Sequence, residues 1–363
     1  MWRAGLAVLL ALTIGAAWLG AALYVPFQGF PRGGIFVDIP RGTATRSVAR
    51  ILAEKGVVRS RVAFEMLCRW SRRAGRRSLQ AGEYFFEHPM NSFEVFQVLA
   101  EGRVYLHTVT VPEGLTLFEI AALMEKERLC HREAFLAAAR DPSPIRDLAR
   151  GAQNLEGFLY PATYQFPRRI TPQEIVGTMV RRFREVWISF PVRGQNPQGL
   201  SPAEVVTLAS LVERETAVPD ERPIIAGVLF NRLRRGLPLQ CDPTVIYALR
   251  LANKYDGSLH KDDLDFDSPY NTYLYRGLPP GPIANPGQAS LRAALSPPKV
   301  DYLYFVSNTQ GGHFFSKTLA EHIENVERYK RLLSEIARTE AQDDSEKPIA
   351  AQPERTPKGR ILR

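Results

Sequence analysis

Two glutamates stand two positions apart in the segment LASLVERET, residues 208–216. An α-helix turns about 100° per residue, so Glu213 and Glu215 would point to nearly opposite sides. An apolar stripe that begins at Val205 continues into position 215, whereas Glu213 would lie on the polar face beside Arg214. A carboxyl group that ends an apolar stripe is partly desolvated, which raises its pKa and lets it keep a proton near neutral pH. Glu215 is therefore the candidate general acid, unless the last helical turn frays and exposes it to water.

The helix that carries both glutamates has a clear start signal. Ser201 and Glu204 have the spacing of a capping box, and Pro202 stands at the first helical position. We therefore expect a helix that begins at Ser201 and carries both glutamates in its last turn.

Composition narrows the class of protein. The chain has 363 residues, 45% of them hydrophobic, which is enough for two or three domains with their own cores. Its net charge of +9 predicts a basic surface. Such a surface suits any anionic polymer, but no nucleic-acid motif is present, and we expect no nucleic-acid partner. The three cysteines lie far apart and predict buried apolar residues rather than a disulfide framework.

The N-terminal segment predicts a membrane anchor. Residues 4–25 carry no charge and would form a helix of about 33 Å, which is long enough to cross a bilayer. A cleaved signal peptide is the alternative, but the apolar run is long for one and leads into no polar cleavage zone. We predict an uncleaved single-pass anchor in the cytoplasmic (inner) membrane, a cytoplasmic stub of residues 1–3 and an exported remainder. The positive-inside pattern is ambiguous because arginines also follow the span.

The predicted fold class is α+β, with the N-terminal transmembrane helix followed by two domains. Residues 37–103 show a strand-helix-helix-strand order and the size of a LysM-like αβ domain, a module that binds N-acetylglucosamine polymers. Residues 104–150 would connect it to a mixed α+β catalytic domain at 151–335. Residues 338–363 are almost free of apolar side chains and predict a disordered tail. The segment 268–287 holds five prolines and three tyrosines, which favours a long ordered loop of functional importance.

Several segments of this chain, in order and at matching spacing, resemble one enzyme family. They are LASLVERET, VLFNRL, LQCDPTVIYAL, SPYNTYLYRGLPPGPIANPG, YLYFVSN and GGHFFSKTLAEH. Over residues 150–330 the sequence is similar to the endolytic murein transglycosylases of the YceG-like family, and the resemblance implies that Glu215 is the catalytic acid. Two positions depart from the family pattern: Ala162 stands where aspartate is common, and Cys241 where serine or threonine is common.

The resemblance implies a peptidoglycan lytic transglycosylase, a lyase that cleaves the bond between N-acetylmuramic acid and N-acetylglucosamine within nascent glycan strands. The product would carry a 1,6-anhydromuramyl end, and the cut would terminate chain elongation. Peptidoglycan strands and the membrane are the expected partners, and an association with peptidoglycan synthases is a further expectation. No cofactor is expected, and no metal site either, because the six histidines are scattered.

One group of side chains would hold the sugar hydroxyl and acetamido groups. The candidate substrate-binding residues are Asn231, Gln240, Asp242, Tyr247, Tyr270, Asn271, Tyr273 and His313. Asp242 could instead cap the helix that follows it, since Pro243 would occupy the first helical position.

Three other functions are compatible with parts of the sequence. A two-carboxylate muramidase would use Glu215 with Asp242 and would release a reducing end by hydrolysis. A non-catalytic peptidoglycan-binding membrane protein would need no acid on an apolar stripe. A cysteine hydrolase would need Cys241 as a thiolate beside His313, and no local sequence feature supports one.

Overall fold

The computed structural model describes residues 2–75, 78–191 and 199–346. The chain divides after Glu185 into two compact units. Within the described residues, six strands form three two-stranded antiparallel sheets among twelve α-helices, which confirms the mixed α+β class.

The first helix, α1 (Trp2–Tyr24), is apolar and long enough to cross a membrane. Its segment Gly5–Tyr24 has a mean hydropathy of 2.2 and is the one such candidate in the described part of the chain. The Ser92 hydroxyl donates a hydrogen bond of 2.9 Å to the carbonyl oxygen of Ala22, so the C-terminal end of α1 is attached to the rest of the first unit. This helix is compatible with the predicted anchor.

The predicted strand-helix-helix-strand order is present after α1. The elements are β1 (Ile35–Ile39), α2 (Thr45–Glu54), α3 (Arg61–Arg73), β2 (Gly82–Phe86) and α4 (Ser92–Glu101). Strands β1 and β2 pair antiparallel, with Val37 opposite Tyr84. Both side chains are fully buried, as are Leu52 and Phe64 from the two helices between the strands. The LysM-like identity of this segment stays a prediction.

A second sheet joins distant parts of the first unit. Strand β3 (Leu106–Thr110) pairs antiparallel with β4 (Thr163–Pro167), and α5 (Leu117–Lys126) and α6 (Arg132–Ala139) lie between them in sequence. The predicted boundary between 150 and 151 therefore separates two strands of one sheet. The chain divides later, within α7 (Pro172–Ser189). A pairing between strands more than fifty residues apart leaves no local sequence signal.

The second unit is built around one buried helix, α8 (Pro202–Glu215). The capping box of Ser201 and Glu204 is present, and every residue from Val205 to Val212 is buried. Helices α9 (Arg222–Arg234), α10 (Asp242–Leu251) and α11 (Gln288–Leu295) pack against α8.

The unit ends with the hairpin of β5 (Tyr304–Ser307) and β6 (His313–Ser316), followed by α12 (Leu319–Glu346). This helix packs on both strands of the hairpin. It continues through position 338, so helix replaces the first nine residues of the predicted disordered tail. The remainder of that segment, 347–363, lies outside the described residues.

Candidate active site

A cavity of about 540 Å³ lies in the second unit, between the end of α8, the start of α10, the β5–β6 hairpin and α12. This volume is within the range of small-molecule sites. Five of the nine residues predicted from the sequence line it: Glu215, Gln240, Asp242, Tyr273 and His313. The structure therefore brings the candidate acid together with four of the eight candidate binding residues.

Glu215 is the last residue of α8, and its side chain is desolvated as the apolar stripe predicts. Its Oε1 atom is buried and has no hydrogen-bond partner among the described residues. Burial raises the pKa of the carboxyl group to about 7; a hydrogen bond from the Cys241 side chain opposes the rise, and the negative charge of Asp242 adds to it. A large fraction of Glu215 is therefore protonated at neutral pH, which is the state that a general acid requires.

Cys241 is buried beside Glu215 at the start of α10. Burial raises the pKa of its thiol well above the ordinary value, and the neighbouring Glu215 carboxyl raises it further. The side chain thus stays a thiol, which interacts with the Glu215 carboxyl and has its Sγ 3.8 Å from the carbonyl oxygen of Leu239. A cysteine hydrolase requires a thiolate, so this environment opposes that alternative.

Asp242 does not act as a helix cap. Its Oδ1 atom accepts a hydrogen bond of 2.5 Å from the hydroxyl of Tyr273, and Cys241 occupies the position before α10 without a side-chain cap. Thr272 attaches the loop to the helix start, because its carbonyl oxygen accepts from the backbone of Gln240 at 3.1 Å and its hydroxyl accepts from that of Cys241 at 3.0 Å. These contacts place Tyr273 of the ordered loop beside the carboxylate of Asp242.

Gln240 is held by an arginine that the sequence analysis missed. Its side-chain oxygen accepts a hydrogen bond from Arg232, and its backbone has a positive φ of 56°. Arg232 is buried, lines the cavity and also donates to the carbonyl oxygens of Pro238 at 2.8 Å and Leu303 at 3.2 Å. Its position inside the VLFNRL segment, next to the predicted site residue Asn231, is the signal that could have identified it.

Two of the predicted binding residues act as backbone clamps outside the cavity. The Asn231 amide donates to the carbonyl oxygens of Val300 at 2.7 Å and Tyr302 at 3.0 Å. Asn271 is fully buried, and its amide donates to two carbonyl oxygens of residues 264–266. Both amides are thus used within the fold, which gives these residues a structural role.

The two remaining tyrosines also lie outside the cavity. Tyr247 is 2% exposed, and its ring packs on that of Tyr270 with the centroids 5.0 Å apart. The described residues that line the cavity include neither of them. The sequence could not separate an aromatic core residue from a sugar-contacting one.

The expectation for Glu213 is wrong. Its side chain is 4% exposed, forms an ion pair of 3.2 Å with Arg222 and accepts a hydrogen bond of 2.9 Å from the backbone N–H of Gly287. Every residue of α8 from Val205 to Val212 is buried, so no exposed polar face leads along the helix to Glu213. The two glutamates do point in different directions, one to a salt bridge and one to the cavity.

His313 lines the cavity from the start of β6. Its backbone N–H and its ring Nδ1 both contact the carboxylate of Glu221, at 2.8 Å and 2.7 Å. Glu221 was not among the predicted site residues.

The sequence and the fold match known proteins over most of the chain. The model of the YceG-like family matches residues 37–328. An endolytic murein transglycosylase of Bacillus subtilis (strain 168) is 35% identical over 335 residues, covering 88% of this chain and 91% of the relative. One of Streptococcus pneumoniae (strain R6) is 30% identical, covering 83% of this chain and 59% of the relative.

A solved structure gives the same assignment. The crystal structure of a YceG-like protein of Listeria monocytogenes shares 33% identity and a TM-score of 0.54, and the match covers 81% of this chain and 99% of that one. On these matches, the chain belongs to the YceG-like family.

Proposed function

We propose that this protein is a membrane-anchored endolytic transglycosylase that cleaves the bond between N-acetylmuramic acid and N-acetylglucosamine in peptidoglycan. The observation that carries the proposal is the Glu215 carboxyl, buried at the cavity with Oε1 unpaired among the described residues and a pKa of about 7. The names of the relatives, endolytic murein transglycosylases, support the substrate class.

The reaction needs one carboxyl group in two successive roles. The protonated Glu215 donates its proton to the glycosidic oxygen as the bond from that oxygen to C1 of the muramyl residue breaks. The resulting Glu215 carboxylate then takes the proton of the muramyl C6 hydroxyl, whose oxygen forms the new bond to C1. The proton count at Glu215 is restored, and the product carries a 1,6-anhydromuramyl end without any use of water.

The desolvated setting of Glu215 suits both steps. A group whose pKa lies near the working pH is able to give and to take a proton with little cost in either direction. The oxocarbenium-like centre at C1 carries positive charge in the transition state. The Asp242 carboxylate lines the same cavity and would stabilise that charge by electrostatic attraction.

The same position of Asp242 favours one second candidate, a muramidase. A retaining or inverting hydrolase needs a second carboxylate in the site as nucleophile or base, and Asp242 is present. The Tyr273 hydroxyl, however, donates a hydrogen bond to Asp242 Oδ1 and so occupies a lone pair of that oxygen. A transglycosylase that uses Asp242 only for its charge tolerates this hydrogen bond better than a hydrolase that needs a strong nucleophile.

The anchor gives the proposed cut a place. Helix α1 would hold the enzyme in the cytoplasmic membrane with its catalytic unit outside, within reach of nascent strands as they leave their synthases. A cut inside such a strand would end its elongation. The LysM-like segment before the cavity would hold a strand and raise its local concentration at Glu215.

Mass spectrometry of the products tests the proposal. Purified full-length protein in detergent is incubated with long uncrosslinked glycan, and products are analysed from the earliest time points. We expect 1,6-anhydromuramyl ends on a spread of oligomer lengths. Reducing ends would instead assign the muramidase reaction, and disaccharides alone from the first time point would show cleavage from chain ends.

A further inference from the structure

The Glu221 carboxylate connects three parts of the second unit. It belongs to the 3-10 turn Pro219–Glu221 that links α8 to α9. Its Oε1 accepts the backbone N–H of His313, and its Oε2 contacts the ring Nδ1 of His313 at 2.7 Å and the Thr216 hydroxyl at 3.2 Å. Thr216 directly follows the candidate acid, so one carboxylate joins the end of the acid's helix to the β5–β6 hairpin.

The backbone is shaped for this approach. A Cβ atom on Gly312 would lie 2.7 Å from Glu221 Oε1, which is closer than real Cβ atoms come to such neighbours. Glycine at 312 therefore allows the carboxylate to reach the N–H of the next residue. The ring of Phe305 packs edge-on to the His313 imidazole, with the centroids 5.3 Å apart and the planes at 89°, and fixes the ring plane.

These contacts determine which ring nitrogen carries the proton in neutral His313. An ionised carboxylate only accepts hydrogen bonds, so the nitrogen that faces it must be the donor. Nδ1 is then the protonated nitrogen, and Nε2 keeps a lone pair. No described residue donates to Nε2 within hydrogen-bond distance, and His313 lines the cavity that contains Glu215.

We propose that Glu221 is a positioning residue that holds His313 in its Nδ1–H tautomer, so that Nε2 accepts a hydrogen bond from a hydroxyl or acetamido N–H group of the glycan in the cavity. The identification of a glycan as the donor of this bond rests on the proposed function. The assignment of the tautomer rests on the Glu221 contacts alone. A ligand without a hydrogen-bond donor at this position would bind more weakly, because the Nε2 acceptor would then be left desolvated and unpaired.

A pair of matched substitutions separates this role from a purely structural one. In His313→Asn, the amide nitrogen takes the place of Nδ1 and still donates to Glu221, but the acceptor toward the cavity is lost. In His313→Gln, the side-chain amide reaches the position of Nε2 and offers its oxygen there, but the contact with Glu221 is weakened.

Both variants are made in the full-length protein, and their folding is checked by circular dichroism. We expect His313→Asn to raise KM for glycan about tenfold with a small change in kcat, and His313→Gln to keep the larger share of kcat/KM. The opposite order, with His313→Asn the more active, would show that His313 only ties the hairpin to Glu221 and would overturn the proposal.

Nuclear magnetic resonance reads the tautomer without using activity. The full-length protein is labelled with ¹⁵N-histidine in detergent micelles, and the His313 signals are assigned by their loss in the His313 variants. We expect a protonated Nδ1 and an unprotonated Nε2, and a loss of this preference in Glu221→Gln. A protonated Nε2 in the unsubstituted protein would overturn the proposal.

Glycan oligomers added to the Glu215→Gln variant supply the second readout. We expect a shift of the His313 Nε2 signal on binding. If glycan binds by calorimetry and the Nε2 signal stays unchanged, the proposed contact is absent. This outcome is distinct from a failure of the proposed function, which would appear as a product other than the anhydro end.

Discussion

Glu83 in the first unit and the Oε1 atom of Glu215 in the second are both shielded from water, but their surroundings differ in kind. In the first unit the side chain of Glu83 is 3% exposed, and its carboxylate accepts hydrogen bonds from His107 Nε2 and Arg168 Nη1, each at 2.7 Å. In the second unit, Glu215 has an Oε1 atom with no partner in the described part of the chain, and its pKa rises to about 7. The hydrogen-bond partners of a buried carboxylate offset the cost of removing it from water, whereas an unpaired oxygen leaves that cost in place.

The comparison shows that burial by itself does not mark a chemical site. Glu213, two residues before Glu215, is also buried, but Arg222 and the Gly287 backbone satisfy it. Glu215 differs from both, because it lines the cavity of the second unit with a buried Oε1 atom that has no partner among the described residues, and burial raises its pKa to about 7. Groups that combine such features cluster at functional sites, which is why the uncompensated carboxyl is assigned the chemistry.

The largest expected effect is on catalysis. Glu215→Gln removes the transferable proton and should lower kcat about 10²–10⁴-fold on purified glycan. The matched control is Glu83→Gln, which should leave kcat of the folded fraction within about twofold, since both ion-pair partners of Glu83 belong to the first unit. A folded Glu215→Gln protein with near-normal activity would contradict the assignment of Glu215 as catalytic and Glu83 as structural.

A smaller effect is expected on the stability of the first unit. Glu83→Ala leaves His107 and Arg168 without their shared acceptor and should lower the free energy of unfolding by about 3 kcal/mol, the low end of the range for a broken buried pair, since both side chains retain some access to water. Urea unfolding of the full chain, followed by a probe in the first unit, measures the change. Glu87→Ala is the control, because its side chain is 62% exposed, and should change stability by less than about 0.5 kcal/mol. Equal effects of the two substitutions would contradict the role given to Glu83.

The smallest expected effect is a gain in stability at Glu215 that depends on pH. Because the pKa of this carboxyl in the folded state, about 7, lies above the ordinary 4.5, the protonated form stabilises the fold below pH 4.5, and this contribution is lost as the pH rises through 7. Glutamine cannot ionise, so Glu215→Gln should be more stable than the unsubstituted protein by about 2–3 kcal/mol at pH 8 and nearly equal to it at pH 4. Thermal unfolding at the two pH values measures the difference. A gain that is the same at both would show that Glu215 does not titrate between them.

Local patterns in the sequence predicted the parts of the fold that local physics determines. The capping box at Ser201, the apolar helix before Tyr24 and the desolvation of Glu215 each follow from residues within a few turns of one another. The ordered loop 268–287 also followed from its own composition.

The rest depends on partners that are distant in sequence. Three examples link segments between 31 and 71 positions apart: the pairing of β3 with β4, the hydrogen bond from Tyr273 to Asp242, and the hydrogen bonds from Asn231 to residues 300 and 302. The prediction that Glu213 lies on a polar face was wrong because neighbouring helices cover most of α8, and the sequence of one helix does not show how many neighbours it has. Polar side chains in a family motif have the same appearance in sequence whether they bind a ligand or a backbone carbonyl.

The β5–β6 hairpin follows α8 in the chain, so the parts of the cavity are synthesised one after another. Glu215 is synthesised 98 residues before His313, and the hairpin and α12, which form part of the cavity wall, are made after the acid. At about 5–20 residues per second, roughly 5–20 s separate the two residues during translation. A nascent chain therefore carries its acid for many seconds without a pocket around it. The enzyme therefore lacks its complete cavity until the hairpin and α12 have been made, and a chain that stops short of the hairpin has no such cavity around Glu215.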